Sequence, residues 1–150
     1  MTKLELIKEF LSKDSPIAVA GVSRNPKKFG RQVYDKLSTL DYQLIPINKF
    51  CDKLNNTTCY PNVKSLPSGI DKLLILTPKE FTDDVVKEAH KNGIQTIWVQ
   101  QMCDTDNTLN LASELGLKMI LNECIFMFAE PKGIHRLHKT IKMVFGTLPK

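Results

Sequence analysis

The sequence predicts an α/β fold in which a mostly parallel sheet carries helices on both faces. Short apolar runs suited to buried strands alternate along the chain with segments whose apolar residues recur at helical spacing. The connections between these segments are short, and repeated strand–helix units of this kind return each strand parallel to the one before through right-handed crossovers. The expected architecture is therefore a Rossmann-like three-layer sandwich.

Five apolar runs are predicted to be strands of the sheet. They are IAVAGV (17–22), YQLIPIN (42–48), DKLLILT (71–77), QTIWVQ (95–100) and LKMILN (117–122). The stretch 49–69 is rich in Asn, Thr, Pro and Ser, which predicts a loop with one short strand near 58–60.

Helical spacing predicts helices over 2–13, 28–40, about 80–92, 105–116 and 132–145. Leu4, Ile7 and Leu11 fall on one face of the first helix. On the third helix, we expect Phe81, Val85 and Ala89 to point inward.

Composition and length narrow the class of protein. The chain has 150 residues, of which 42% are hydrophobic and 25% are charged, so we expect a single domain over 1–150 with no room for a second catalytic domain. No apolar run is long enough to cross a membrane and the first ten residues carry charges, which predicts a cytoplasmic protein without a membrane partner.

Charge and cysteine usage add two expectations. The net charge is +5, and residues 130–150 carry five Lys/Arg against one Glu, so the basic character is local and calls for no nucleic-acid partner. The four cysteines lack CxxC spacing, which argues against a zinc site or a disulfide framework and favours reduced thiols. A homodimer is compatible with a small sheet of this kind.

The stretch IAVAGVSRNPKKFG (17–30) has the pattern of a phosphate-binding turn between the first strand and its helix. Gly21 ends the strand without a Cβ, so an anion can approach the backbone, and Ser23 supplies a hydroxyl donor. The N–H groups that open the next helix point at the same place. Three cations, Arg24, Lys27 and Lys28, make the turn suited to a polyanion.

The dinucleotide fingerprint G-x-G-x-x-G is not met in this turn. Serine stands where the second glycine belongs and Pro26 where the third belongs, and the next glycine is Gly30. At the end of the second strand, where NAD proteins place an acidic residue, the chain has Asn48 and Lys49. A lysine suits a phosphate on the ribose, which both NADP and coenzyme A carry.

Taken with this turn, the blocks IPIN (45–48), SLPSGIDKLLILTP (65–78), GIQTIWVQ (93–100) and GLKMILNECI (116–125) resemble the small stand-alone CoA-binding proteins. These are similar to the CoA-binding domain of the succinyl-CoA synthetase α subunit. The resemblance covers roughly residues 14–126 and implies a five- or six-stranded sheet. The synthetase's phosphohistidine lies in a second domain that has no counterpart here, so ligase activity is not implied.

The resemblance also implies a ligand map, with the pyrophosphate at the first turn, the adenosine beside the second strand, the pantetheine past the central strand and the thiol near the last strand. The implied CoA-binding residues are Gly21, Val22, Ser23, Arg24, Lys27, Lys28, Phe29, Gly30, Asn48, Lys49, Thr77, Pro78 and Cys124. The chain departs from the family at Lys49, where Pro is usual, and at Met102–Cys103, where a glycine usually follows the WxQ block.

Other residues offer weaker signals. His135 and His138 lie one turn apart on the polar face of the last predicted helix, and two histidines without a third ligand favour a solvated surface over a metal site. Trp98, in an apolar strand, is expected in the core. No Ser/His/Asp set, acid pair or lysine base stands out.

The sequence thus predicts a protein that binds coenzyme A or an acyl-CoA as a carrier, sensor or regulatory module without catalysis of its own. Two alternatives stay open: an NAD(P)-binding redox protein, and an acyl-CoA enzyme subunit that needs a partner.

Overall fold

The computed structural model of the chain describes residues 1–129. Its main sheet consists, within that range, of five strands: β1 (Ile17–Ala20), β2 (Leu44–Ile47), β5 (Lys72–Ile75), β6 (Thr96–Gln100) and β7 (Lys118–Glu123). They lie in the order β2-β1-β5-β6-β7, and every neighbouring pair is parallel. The predicted α/β class and mostly parallel sheet are confirmed. Four of the predicted strand segments contain one of these strands, and the fifth, 117–122, overlaps β7, which ends one residue later.

Helices connect these strands and lie on both faces of the sheet. They are α1 (Lys3–Phe10), α2 (Phe29–Ser38), α3 (Lys79–Lys91), α4 (Thr108–Leu115) and α5 (Phe126–Ala129). The predicted helix over 132–145, with His135 and His138, lies outside the described residues. No helix in the described part of the chain is long and apolar enough to span a membrane.

The strands are apolar on both faces because each face packs against helices. On one face, Val19, Leu74 and Trp98 pack with residues of α1, α2 and α5. On the other face, Ala20 and Ile75 pack with residues of α3 and α4. Trp98 is fully buried, as the sequence predicts.

Phe81, which is expected to point inward, is exposed, and so is Leu4, which shares a predicted helix face with the buried Ile7. Leu4 is 54% exposed, because the side of α1 that faces β7 carries Lys3, whose ammonium lies 2.6 Å from the Glu123 carboxylate. Phe81 is 55% exposed, because the buried face of α3 carries Thr82 and Val86, each one position after the residues expected to point inward. The first turn of α3, which holds Phe81, also lies beyond the end of β5. Phe81 therefore faces a cavity rather than the core.

The loop after β2 contains more structure than one short strand. Strands β3 (Lys53–Leu54) and β4 (Thr57–Thr58) form an antiparallel hairpin. Its turn residues, Asn55 and Asn56, have φ values of 49° and 66°, as two-residue hairpin turns require. Tyr60 then forms a parallel bridge with Ile47, and a short 3₁₀ helix follows at Val63–Ser65.

Candidate functional site

A cavity of about 430 Å³ lies at the carboxyl ends of β1 and β5. The connections leave these adjacent strands in opposite directions, towards β2 on one side and β6 on the other, which opens a crevice where parallel sheets bind ligands. The cavity is lined by residues 20–23, 47–50 and 61–63 and by Thr77, Pro78, Phe81, Val85 and Glu88.

Seven of the thirteen residues expected at the ligand lie on this lining: Gly21, Val22, Ser23, Asn48, Lys49, Thr77 and Pro78. Arg24, Lys27, Lys28, Phe29 and Gly30 continue the turn into α2. Cys124 does not line the cavity; it is buried just after β7. The Gln100 amide nitrogen lies 3.2 Å from its sulfur.

The two glycines of the turn are required by close packing of the backbone. Gly21 has φ +91°, and a Cβ there would lie 2.6 Å from the main-chain nitrogen of Thr77 and the carbonyl carbon of Leu76. A Cβ on Gly30 would overlap the Gly21 carbonyl oxygen. The sequence suggested that Gly21 lacks a side chain so that an anion can approach the backbone. The structure shows instead that the space a Cβ would need is occupied by the main chain at the end of β5, and that α2 packs closely on the Gly21 carbonyl through Gly30.

Hydrogen bonds within the turn hold its shape. The Ser23 hydroxyl oxygen accepts from the Asn25 N–H at 3.0 Å, and the Asn25 side-chain oxygen accepts from the Lys27 N–H at 3.0 Å. The Lys28 N–H donates to the Asn25 carbonyl oxygen at 3.1 Å. The Ser23 O–H proton stays available for a ligand, so the turn is organised before any anion arrives.

Arg31, which sequence reasoning missed, braces this turn from behind. Its buried guanidinium donates to the Arg24 carbonyl oxygen at 3.1 Å, to the Asp35 carboxylate at 2.9 Å and to the Asn55 side-chain oxygen at 3.0 Å. The side chain thus connects the turn, α2 and the β3–β4 hairpin. Arg31 is the fourth cation of a basic stretch. The sequence alone therefore does not distinguish it from the exposed Arg24, Lys27 and Lys28.

Both helices that begin at the cavity lack a side-chain cap. Lys28 and Pro78, the N-cap residues of α2 and α3, make no side-chain hydrogen bond to the first turn of their helices. Of the two other long helices in residues 1–129, α1 has a complete capping box formed by Thr2 and Glu5, whereas α4, away from the cavity, also lacks a side-chain cap at Asn107. α3 thus begins on the cavity lining at Pro78, and α2 begins beside it, where Gly30 packs on Gly21. The free N–H groups and positive dipole end of a helix N-terminus suit an anion.

Asn48 joins the two sides of the cavity. Its side-chain nitrogen donates to the Val22 carbonyl oxygen at 2.8 Å, and its side-chain oxygen accepts from the Phe50 N–H at 2.7 Å. Its own N–H donates to the Tyr60 carbonyl oxygen at 2.9 Å. Because both ends of the amide are engaged, Asn48 fixes the shape of the site, and the neighbouring Lys49 is the exposed cation at this corner.

Two phenylalanines that the sequence analysis did not assign to the site line the cavity with exposed rings. Phe50 is 68% exposed and Phe81 is 55% exposed. The Lys49 ammonium lies 5.0 Å from the centroid of the Phe50 ring. An aromatic residue next to a lysine in a polar loop is a signal that could have identified Phe50, whereas the helical spacing of Phe81 pointed to the core.

Thr77 presents an acceptor to the cavity. Thr82 donates its hydroxyl proton to the Cys103 carbonyl oxygen at 2.6 Å, so Thr77, 3.1 Å away, donates its own proton to Thr82. Burial raises the pKa of the nearby Cys103 thiol to about 11, with the Asp104 carboxylate adding to the shift. Cys103 is therefore a neutral thiol at pH 7.

A family model described as a CoA binding domain matches residues 15–130. The chain belongs to this family of CoA binding domains. The resemblance inferred from the sequence blocks is thereby confirmed.

Two sequence relatives and one solved structure illustrate the family. The chain is 24% identical over 147 residues to the α subunit of an ADP-forming acetate–CoA ligase II of Pyrococcus furiosus, covering 89% of this chain but only 30% of the ligase subunit. It is 25% identical over 119 residues to the uncharacterised Bacillus subtilis protein YneT, covering 79% of this chain and 88% of YneT. A hypothetical protein of Pyrococcus horikoshii superposes with a TM-score of 0.75 at 26% identity over 88% of this chain and 92% of its own.

Proposed function

We propose that this chain binds coenzyme A or an acyl-CoA in the cavity between β1 and β5, and that it acts as a carrier, sensor or regulatory module without catalysis of its own. The observation that carries the proposal is the position of two uncapped helix N-termini in a chain of the CoA-binding family: α3 begins on the cavity lining at Pro78, and α2 begins beside it, where Gly30 packs on Gly21. An anion bound there supplies the acceptors that neither helix provides for itself.

The pyrophosphate is proposed to bind the turn at 21–30, with the Ser23 hydroxyl and the free N–H groups that open α2 as its donors. Arg24, Lys27 and Lys28 surround this position with three exposed positive charges. The carboxylate on the lining, Glu88, accepts from the Lys64 N–H at 3.1 Å, and this bond holds it on the 3₁₀ helix. The charge of the turn is therefore complementary to a polyanion.

The rest of the ligand is proposed to follow the two walls of the cavity. The exposed ring of Phe50 offers a surface on which adenine can stack, and Lys49 beside it is placed to pair with the ribose phosphate. Thr77 and Pro78 lie on the path of the pantetheine arm, where the free acceptor of Thr77 can receive an amide N–H. Cys124, buried outside this lining, has no assigned part in binding.

Isothermal titration of the full chain with CoA, dephospho-CoA, NADP and NAD tests this proposal. A charge-assisted contact from Lys49 should make CoA about 10- to 100-fold tighter than dephospho-CoA. Lys49→Met should abolish that preference, whereas the control Lys87→Met, on an exposed position of α3 away from the lining, should keep it. No heat with CoA contradicts the proposal, and preferential binding of NADP or NAD favours a redox protein instead.

The ligase relative favours a second candidate, an acyl-CoA enzyme subunit. The chain spans about 30% of the ligase subunit, and in this candidate the remaining parts are proposed to come from a partner. Turnover of a panel of acyl-CoA thioesters by the purified chain alone contradicts the binding module, whereas turnover that appears only when the chain is combined with fractions of a cell extract favours the enzyme subunit; a binding module leaves every thioester intact in both assays.

A further inference from the structure

Two cysteines face each other at the base of the β3–β4 hairpin. Cys51 precedes the hairpin and Cys59 follows it, and their sulfur atoms lie 3.4 Å apart. The Cys59 N–H donates to the Asp52 carbonyl oxygen at 2.8 Å, so the two arms of the hairpin remain hydrogen-bonded as far as the cysteines. A disulfide needs sulfur atoms about 2.05 Å apart, a shortening of about 1.4 Å that side-chain rotation can supply.

The two thiols differ in accessibility in the way that stepwise exchange requires. Cys51 is partly exposed, whereas Cys59 is 6% exposed and reaches its neighbour's sulfur from inside the protein. Burial, with smaller contributions from Cys51 and Asp52, raises the pKa of the Cys59 thiol to about 12. A small reagent therefore meets Cys51 first, and Cys59 lies where it can attack the product.

We propose that Cys51 and Cys59 form a dithiol site that reduces a low-molecular-weight disulfide and is itself converted to an intramolecular disulfide. The Cys51 thiolate attacks one sulfur of the small disulfide, whose S–S bond breaks. One thiolate leaves and takes up a proton. Cys59 then loses its proton to solvent and attacks the Cys51 sulfur, which releases the second small thiol. Two protein thiols are oxidised, and one small disulfide is reduced to two thiols.

The site has a consequence for ligand binding that rests on the proposed function. Cys51 directly follows Phe50, and Cys59 lies two residues before Pro61; both Phe50 and Pro61 line the cavity. A covalent link between the cysteines ties together the two segments of chain that carry these lining residues. The exposed Phe50 ring must become ordered when a ligand binds. A loop already constrained by the Cys51–Cys59 link loses less conformational freedom in this step. The oxidised form should therefore bind acetyl-CoA roughly three- to tenfold more tightly than the reduced form.

The dithiol is tested by treating the reduced full chain with glutathione disulfide, followed by thiol counting, intact mass and peptide mapping. Two of the four thiols should be lost, with a Cys51–Cys59 peptide link and no bound glutathione. Cys59→Ser should instead retain one glutathione on Cys51, and Cys59→Ala repeats the test if the serine variant does not fold. The control Cys103→Ser should form the link as the unmodified chain does. Stable glutathione on Cys51 of the unmodified chain, or no oxidation, overturns the proposal.

Titration of both forms with acetyl-CoA tests the consequence, since its acylated sulfur cannot reduce the disulfide. Cys51→Ser, given the same oxidant, should keep the affinity of the reduced chain. Equal or weaker binding by the oxidised chain overturns the coupling to the cavity. If the disulfide forms but neither form binds acetyl-CoA, the proposed function fails and the dithiol stands; if no disulfide forms, the dithiol fails whatever the affinity.

Discussion

Replacing Lys28 by Asp should stabilise the free protein and weaken its binding of CoA. Lys28 is the N-cap of α2 with φ −74° and ψ 145°, the extended conformation that capping residues adopt, yet its side chain caps nothing. An Asp side chain can accept from the N–H of Gly30 or Arg31, which is worth about 0.5–2 kcal/mol. Exchanging a cation for an anion at the positive end of the helix adds about 0.3–1 kcal/mol.

The same N–H groups are those proposed to bind the pyrophosphate, so the new carboxylate would occupy them and repel the ligand. Loss of a charge-assisted contact of about 1.5–3 kcal/mol corresponds to roughly 10- to 100-fold weaker binding. The combined stabilisation should raise the Tm of the free chain by roughly 2–10 °C in thermal unfolding, and titration calorimetry measures the affinity.

A matched variant separates capping from charge. Lys27→Asp carries the same charge change one residue earlier, outside the N-cap position, so it should weaken CoA binding and raise the Tm by no more than the charge contribution, clearly less than Lys28→Asp does. A lower Tm for Lys28→Asp, or an unchanged affinity, would refute the conclusion that these N–H groups are kept uncapped for an anion.

Three further predictions follow from single contacts. Gly21→Ala should lower the free energy of unfolding by about 2–4 kcal/mol in urea titrations, because its Cβ would lie 2.6 Å from main-chain atoms at the end of β5 and its φ is +91°. Phe50→Ala and Phe81→Ala should each weaken CoA binding about fivefold or more at unchanged Tm, whereas Leu109→Ala, equally exposed but outside the cavity, should change neither; unchanged affinity for both phenylalanine variants contradicts stacking. Because the folded-state pKa of Cys59 is raised from 9.0 to about 12, the unfolded chain loses this proton first, so stability should fall between pH 9 and 12 by at most about 1.4 kcal/mol per pH unit, a fall that Cys59→Ser should reduce.

The sheet could be predicted because each strand carries its own signal. A run such as 71–77 is apolar on successive residues, which only a strand covered on both faces can bury, and β5 lies within it. Helix α4 ends where the sequence indicates, at Gly116 with φ +65°. In both cases local chemistry and tertiary structure agree, so neighbouring residues alone define the element.

The site was harder to predict because its parts come from distant stretches and act through contacts that spacing does not encode. Phe81 has the spacing of a core residue and is exposed because α3 starts above the edge of the sheet. In the sequence, Arg31 is not distinguishable from the other basic residues of its stretch. Its structural role depends on contacts with Arg24 and Asn55, which lie 7 and 24 residues away in the sequence. Cys51 and Cys59 meet because of a hairpin turn that the sequence analysis interpreted as loop.

The two walls of the cavity are built with different rigidity, which bears on what the site can discriminate. The turn at 21–30, which begins on one wall, is fixed by two glycines packed on main chain and by the guanidinium of Arg31, so a pyrophosphate bound as proposed would have little freedom of position. The wall at 49–61 is held at its ends, by Asn48 and by the cysteine pair, and carries an exposed ring between them. In the proposed binding mode, a fixed anion site opposite an adjustable wall would accept any ligand with a pyrophosphate, and selection among nucleotides would depend on Lys49 and Phe50. Changes at those two positions should therefore alter which nucleotide binds, while changes in the turn should weaken all of them together.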